Sequence, residues 1–283
     1  MTSAPKPITG LGEIIGQYDL FLVDQFGVLH DGRAPYPGAV EALAAIKRAS
    51  KTVIILTNSG KRAEPNAERL TQLGFPRETF DAVVSSGEVG WHVIRDGRLG
   101  SPFVRGAKVH AIGRRGDDYG LDGLDLRFTD DPVKAEAILI LGTDAPATSL
   151  ADYRAILGPA AKAGVPALVS NPDKLMLTSA GLQPAPGAIA EVYEQLGGAV
   201  RYIGKPYPDI YRYALALAPN VPPSRVLAIG DSVEHDIAGA AAMGFASLLV
   251  RTGILAGVGE AGLGKLYGQH KAWPDYICGR LSA

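Results

Sequence analysis

Four short stretches of this chain set a charged or hydroxyl-bearing residue at the end of an apolar run. Asp24 closes Leu20-Phe21-Leu22-Val23 and opens Asp24-Gln25-Phe26-Gly27-Val28-Leu29. A carboxylate there is poorly placed for a core and well placed to face a ligand, and Gly27 lets the backbone turn sharply. Thr57 ends Thr52-Val53-Ile54-Ile55-Leu56 and begins Thr57-Asn58-Ser59. Its hydroxyl and amide groups, with the N–H groups of a following turn, suit phosphate oxygens. Lys205 lies in Ile203-Gly204-Lys205-Pro206 ahead of a helical pattern over 209–217 and offers a mobile positive charge. Asp231 ends Arg225-Val226-Leu227-Ala228-Ile229-Gly230, and Asp236 follows five residues on. Hard cations such as Mg²⁺ take carboxylate oxygens, usually one or two from protein, and Asp24 with Asp231 would meet that need. Taken singly, each stretch has a plain alternative: a turn cap for Asp24, a helix cap for Thr57, a surface lysine, and compensation of a helix N-terminus for Asp236.

The elements that must position these residues alternate in type. Apolar runs at 19–24, 52–57 and 80–84 read as strands, with helical spacing over 38–50 and 64–73 between them. The pattern restarts at 225–230, with a helix expected over 233–243 and a strand over 245–250. Continuous apolar runs fit strands buried on both faces, and the alternation predicts an α/β fold with a Rossmann-like parallel sheet. Between the blocks lies a stretch with strands at 108–112, 137–141 and 167–170 and a helix over 149–163. It is long enough for its own core and reads as an inserted α/β domain. The glycine-rich segment 256–268 reads as a loop, and Asp117-Asp118 and Asp130-Asp131 as solvated turns.

Ligands of open α/β sheets collect beyond the carboxyl ends of the strands, and all four stretches stand there in this order. Together they resemble the haloacid dehalogenase superfamily of aspartate-nucleophile hydrolases, over nearly the whole chain. Asp24, Thr57, Lys205 and Asp231 with Asp236 match its four motifs. Asp31-Gly32, Tyr36-Pro37-Gly38-Ala39, Leu56-Thr57-Asn58-Ser59, Asn171-Pro172-Asp173 and Gly204-Lys205-Pro206 resemble its large-cap branch of sugar-phosphatase-like and nitrophenylphosphatase-like members. The resemblance implies a core domain of residues 1–84 and 185–283 and a cap of residues 85–184. It implies a Mg²⁺-dependent hydrolase acting on a small phosphorylated metabolite through an aspartyl-phosphate on Asp24. Asp24, the backbone carbonyl of Phe26 and Asp231 would hold Mg²⁺, and Asp236 would orient Asp231 or metal-bound water. Thr57 and Lys205 would bind phosphoryl oxygens and offset developing charge, with Asn58, Ser59 and Asn171 on the substrate. Asn171 and Asp173 equally fit a turn before Lys174.

The chain departs from the family at Phe26, where phosphatases of this kind carry a second Asp that serves as general acid and then base. Residues i and i+2 of an extended strand point the same way, so an Asp there reaches the leaving group and a phenyl cannot replace it. General acid–base catalysis is worth roughly 10²–10⁴-fold, so hydrolysis of ordinary phosphomonoesters should be weak by that measure. Three readings follow. Hydrolysis persists, with the proton from water, from a cap residue such as Glu88, or made unnecessary by a good leaving group. Alternatively the chain is a non-catalytic or regulatory phosphate-ligand binding protein, or it runs different chemistry on the same nucleophile. His235 stands where the family commonly has Thr.

Composition narrows the setting. A net charge of -1, with charged residues at 20%, argues against nucleic-acid or membrane partners. The hydrophobic fraction of 47% supplies a sizeable core. One cysteine, Cys278, permits no internal disulfide, residues 1–10 do not read as a signal peptide, and no apolar run approaches the roughly 18 residues of a membrane helix. The expected location is cytoplasmic, and a homodimer is left open. Gly257-Val258-Gly259-Glu260-Ala261-Gly262 matches a dinucleotide fingerprint but has too little chain after it for a βαβ unit. Neither Lys61 nor Lys205 forms a P-loop, no Gly-x-Ser-x-Gly elbow occurs, and the five histidines (30, 92, 110, 235, 270) show no zinc spacing and read as surface or capped residues.

Overall fold

A computed structural model describes residues 4–178 and 181–283. The chain opens with β1 (Lys6–Pro7), β2 (Leu20–Val23), α1 (Ala39–Arg48), β3 (Thr52–Thr57), α2 (Ala63–Gln72) and β4 (Ala82–Ser85). It continues with α3 (Ser86–Arg95), β5 (Lys108–Ile112), β6 (Arg127–Phe128), β7 (Ala137–Ile140), α4 (Leu150–Lys162), β8 (Ala167–Val169), β9 (Leu175–Thr178), β10 (Gly181–Pro184), α5 (Pro186–Gln195) and β11 (Val200–Tyr202). It ends with α6 (Pro208–Ala216), β12 (Val226–Gly230), α7 (Ala238–Met243), β13 (Ala246–Val250), α8 (Glu260–His270) and β14 (Tyr276–Cys278).

Two compact units result: residues 1–57, 64–84 and 205–283 form one, and residues 58–63 and 85–204 the other. The first is built on a seven-stranded sheet of order β1-β14-β13-β12-β2-β3-β4. β2 pairs in parallel with both β12 and β3, and every residue of β2 and β12 is buried, as their unbroken apolar sequences require. From β2 the chain runs outward through β3 and β4 on one side and returns through β12, β13 and β14 on the other. The strand order therefore reverses between β2 and β12, which places Asp24 and Asp231 at the crevice where open α/β sheets take ligands.

The second unit carries a five-stranded sheet of order β11-β8-β7-β5-β6, parallel throughout, and an antiparallel hairpin of β9 and β10. Its core joins Ile138, Ile140, Leu157, Val169, Ile189 and Tyr193 from β7, α4, β8 and α5.

The α/β architecture matches the expectation, with corrections in detail. The boundary expected at 184/185 falls inside the second unit, because α5 packs in its core and β11 pairs with β8. Residues 58–63 join that unit as well, and residues 1–3 and 179–180 of the expected domains lie outside the described residues. The segment expected as a loop over 256–268 is mostly α8, whose Leu263 and Tyr267, one turn apart, bury a narrow apolar stripe against Val233, Ile237 and Leu249. Glycine content hid this stripe, since glycine costs a helix about 1 kcal/mol relative to alanine and lowers its sequence signal. The helix expected over 209–217 runs over Pro208–Ala216. Pro208 is its first residue, behind Tyr207. Among the described residues no helix is long and apolar enough to cross a membrane.

Candidate active site

Lys205 is nearly sealed from solvent at 3% exposure, and its ammonium donates to both Asp24 Oδ1 and Asp236 Oδ1, the latter at 2.7 Å. Burial works against the Lys205 charge, but Asp236 and Asp24 outweigh it and hold its pKa above the ordinary lysine value. Asp24, Asp231 and Asp236 are all buried, and each offers a carboxylate oxygen within 4.8 Å of the others. Three carboxylates against one ammonium leave the cluster short of positive charge. The strain falls on Asp231, whose pKa is pushed well above the carboxylate range by burial, then by Asp24 and by Asp236.

The backbone is cut to fit these groups. Asp24 N–H donates to Ile229 O at 2.8 Å, tying the end of β2 to β12. Gly27 and Gly253 both have positive φ, +90° and +55°, and a Cβ on either would run into the Asp231 carboxylate. Gly230 lies equally close to the Asp236 side chain. Asp236 Oδ2 accepts from Ser232 N–H at 3.1 Å. Behind it the helix opens in a wider first turn, in which Ile237 N–H reaches back five residues to Ser232 O at 3.1 Å. Such widened turns recur at functional sites because they re-aim a side chain. Facing carboxylate oxygens in a glycine-lined cradle suit a hard divalent cation.

The expected residues divide between the units. Asp24, Phe26, Thr57, Lys205, Asp231 and Asp236 belong to the first, where Thr57 is buried at the end of β3 beside β2. Asn58, Ser59 and Asn171 belong to the second. There Asn58 Nδ2 donates to Asp173 Oδ1 at 2.8 Å, and Asn171 Oδ1 accepts from Asp173 N–H at 3.0 Å. The Asn171 carbonyl thus shapes the turn before Lys174. Asp173→Ala removes an acceptor for Asn58 and is expected to lower stability by about 1–2 kcal/mol. Asp173→Asn keeps an acceptor and should lose less; equal losses in denaturant midpoint would contradict the bond's importance.

Sequence reasoning missed the loop after β13. Ile254 N–H donates to Asp231 Oδ2 at 2.9 Å, and Thr252 Oγ1 donates to Gly27 O, so this loop holds both Asp231 and the turn after Asp24. The available signal was Gly253 just past a strand expected to end at Val250. Two of the histidines read as surface or capped residues are buried, each in a local hydrogen bond. His30 is 2% exposed, its Nδ1 accepts from Gly32 N–H at 3.0 Å, and burial lowers its pKa to about 4. His235 is buried with Nδ1 3.0 Å from Ser232 Oγ. Glu88 is no proton donor. Arg62 grips both its oxygens, at 2.7 and 2.8 Å, and Glu88 also accepts from Ala63 N–H at 3.0 Å. These contacts outweigh the cost of burial and lower its pKa.

Comparison with known proteins agrees with this geometry. Residues 21–127 match the model of the haloacid dehalogenase-like hydrolases, and residues 202–282 match a second, HAD-hydrolase-like model. The chain belongs to the haloacid dehalogenase superfamily. Within it the chain is a phosphatase-like hydrolase of the large-cap branch. It is 29% identical to rat chronophin over 281 residues, spanning 94% of this chain and 86% of that one. A haloacid dehalogenase-like hydrolase from Brucella suis superposes with a TM-score of 0.84 at 28% identity, covering 97% of this chain and 99% of that one. The glycerol phosphate phosphatase of Mycobacterium tuberculosis in complex with magnesium gives a TM-score of 0.71 at 27% identity over 93% of this chain and 76% of that one. The same protein has also been solved with calcium.

Proposed function

We propose that the chain is a Mg²⁺-dependent phosphatase of small phosphorylated metabolites that works through an aspartyl-phosphate on Asp24. The observation that carries this reading is the buried Lys205 ammonium bonded to Asp24 and Asp236 with Asp231 alongside. A second buried cation against these three acids would neutralise the excess negative charge. Asp24, the Phe26 carbonyl and Asp231 would hold Mg²⁺, which when bound supplies charge neutralisation and polarises the phosphoryl group.

In this mechanism Asp24 attacks phosphorus in line, because its carboxylate stands at the strand tip where a phosphoryl group can approach. Lys205 donates to Asp24 and offsets charge on the phosphoryl oxygens as it builds, and Thr57 donates to one of them. Asp236 fixes Lys205 from behind. Water then splits the aspartyl-phosphate and restores Asp24. The test is Mg²⁺-dependent release of phosphate across sugar, nucleotide, aryl and acyl phosphates, together with a beryllofluoride adduct on Asp24. Ligand binding with no turnover on any substrate would replace this reading with that of a phosphate-ligand binding protein.

The raised pKa of Asp231 gives the ion a defined pH dependence. A metal ligand must shed its proton, so Mg²⁺ affinity is expected to climb from the ordinary carboxylate value, about 4, through the raised value in the fold. Without metal the sign for stability is opposite. The fold binds this proton more tightly than the unfolded chain, so its contribution is complete below the unfolded pKa and is lost as pH rises through the folded one. Melting curves with EDTA and with Mg²⁺ should therefore diverge as pH increases. Parallel curves would show that Asp231 is not a ligand.

A further inference from the structure

Three consecutive residues of the loop after β13 each commit a group to the acid cluster or to the turn that frames it. Thr252 Oγ1 donates to Gly27 O, Gly253 N–H donates to the Tyr36 hydroxyl, and Ile254 N–H donates to Asp231 Oδ2 at 2.9 Å. All of these residues lie in the first unit. Sheet register puts the loop there. Gly230 at the end of β12 pairs with Leu249 of β13, so the chain that leaves β13 runs beside Asp231.

These contacts decide which oxygens stay open. A Cβ on Gly27 or Gly253 would lie 2.1 or 1.8 Å from Asp231 Oδ2, so the backbone of both residues is packed against that oxygen. With the Ile254 N–H on it as well, Oδ2 is walled in, and Oδ1 is left to face a cation. Asp24 is restricted in a similar way, since the Lys205 ammonium takes its Oδ1. The Phe26 carbonyl is aimed by its own peptide. Gly27 N–H donates to His30 O at 2.9 Å, and in a trans peptide the carbonyl points opposite to that N–H. Thr252 then fixes the next peptide through Gly27 O.

We infer that the loop of Thr252, Gly253 and Ile254 is the positioning device that sets ion choice at this centre, because it holds Asp231 to one open oxygen. This rests on the metal-dependent reading above. Ca²⁺ takes roughly six to eight oxygens and accepts a carboxylate through both of its own. Mg²⁺ keeps several waters and needs only one or two carboxylates. A centre in which each acid exposes a single oxygen leaves the larger ion short of ligands and suits the smaller one. Thr252 acts through Gly27 and the loop, and Tyr36 acts through Gly253, so both are positioning residues.

The experiment is calorimetric titration of the full chain with Mg²⁺ and with Ca²⁺, without substrate, with the melting temperature in EDTA as the measure of stability. The parent should bind Mg²⁺ more tightly than Ca²⁺. Thr252→Val keeps the shape, loses the hydroxyl and frees the loop from Gly27 O. It should weaken Mg²⁺ about tenfold, as expected for a residue that orients a metal ligand. Ca²⁺ affinity should hold or rise, because Asp231 becomes free to offer its second oxygen. Tyr36→Phe releases Gly253 and should shift the ratio of the two affinities in the same direction. Thr252→Ser keeps a hydroxyl and should keep the parent's ratio. Equal weakening of both ions, or a lower melting temperature in EDTA with the ratio unchanged, would show a merely structural loop and overturn the inference while the phosphatase reading stands. A parent that prefers Ca²⁺ would do the same. A parent that binds neither ion and releases no phosphate would overturn both.

Discussion

Replacing Asp24 by Asn is expected to lower Mg²⁺-dependent phosphate release by on the order of 10⁴-fold or more. The amide keeps the size of the carboxylate and can still accept from Lys205, so the neighbourhood is preserved. In the proposed mechanism this removes the anionic oxygen that bonds to phosphorus, and the two neighbouring carboxylates are otherwise engaged. Asp231 is held by the Ile254 N–H and Asp236 by Ser232 N–H and Lys205. The stability of this variant should move the other way. Without metal, three buried carboxylates share one ammonium, and removing one charge relieves repulsion on Asp231. Asp24→Asn should therefore melt no lower than the parent in EDTA and gain less from added Mg²⁺. A variant that keeps even a hundredth of the parent rate would point to another nucleophile.

The parts of the fold that sequence disclosed were those with strong apolar runs. β2, β3 and β12 are buried on both faces, so Leu20 to Val23, Val53 to Leu56 and Val226 to Ile229 carry almost no polar interruption. Because each runs straight into a polar residue, the same runs located Asp24, Thr57 and Asp231. The weak signals belonged to short or glycine-bearing elements. β11 has only three residues, and its place is decided by pairing with β8, a contact more than thirty residues away in sequence. That pairing moved the domain boundary. Buried histidines and the Arg62–Glu88 pair depend on which side chains meet in space, and no local pattern encodes that. The Ile254 contact is a backbone N–H, to which residue type gives no clue beyond the glycine that makes room for the carboxylate.

Lys205→Met is expected to damage stability and chemistry together. The side chain is buried among acids, and methionine matches its length without its charge. Removing one partner of a buried ion pair leaves the other charge uncompensated, which costs about 3–5 kcal/mol. Here two acids lose their partner, so the destabilisation should sit at the upper end. Protonation gives the prediction its pH signature. The fold raises the Lys205 pKa, so its contribution is complete below the unfolded lysine value, about 10.4, and present throughout the neutral range. Lys205 also holds the Asp231 pKa down, so in the variant Asp231 should bind its proton still more tightly in the fold than in the unfolded chain. Its stability should then fall as pH rises from about 4 towards neutrality, where the parent loses less. Mg²⁺ should recover part of the melting temperature, because the ion supplies positive charge to the same oxygens. It should not recover turnover, because the ammonium that in the proposed mechanism would steady the phosphoryl oxygens is gone. Equal destabilisation at pH 5 and pH 8 would mean that methionine fails through packing alone.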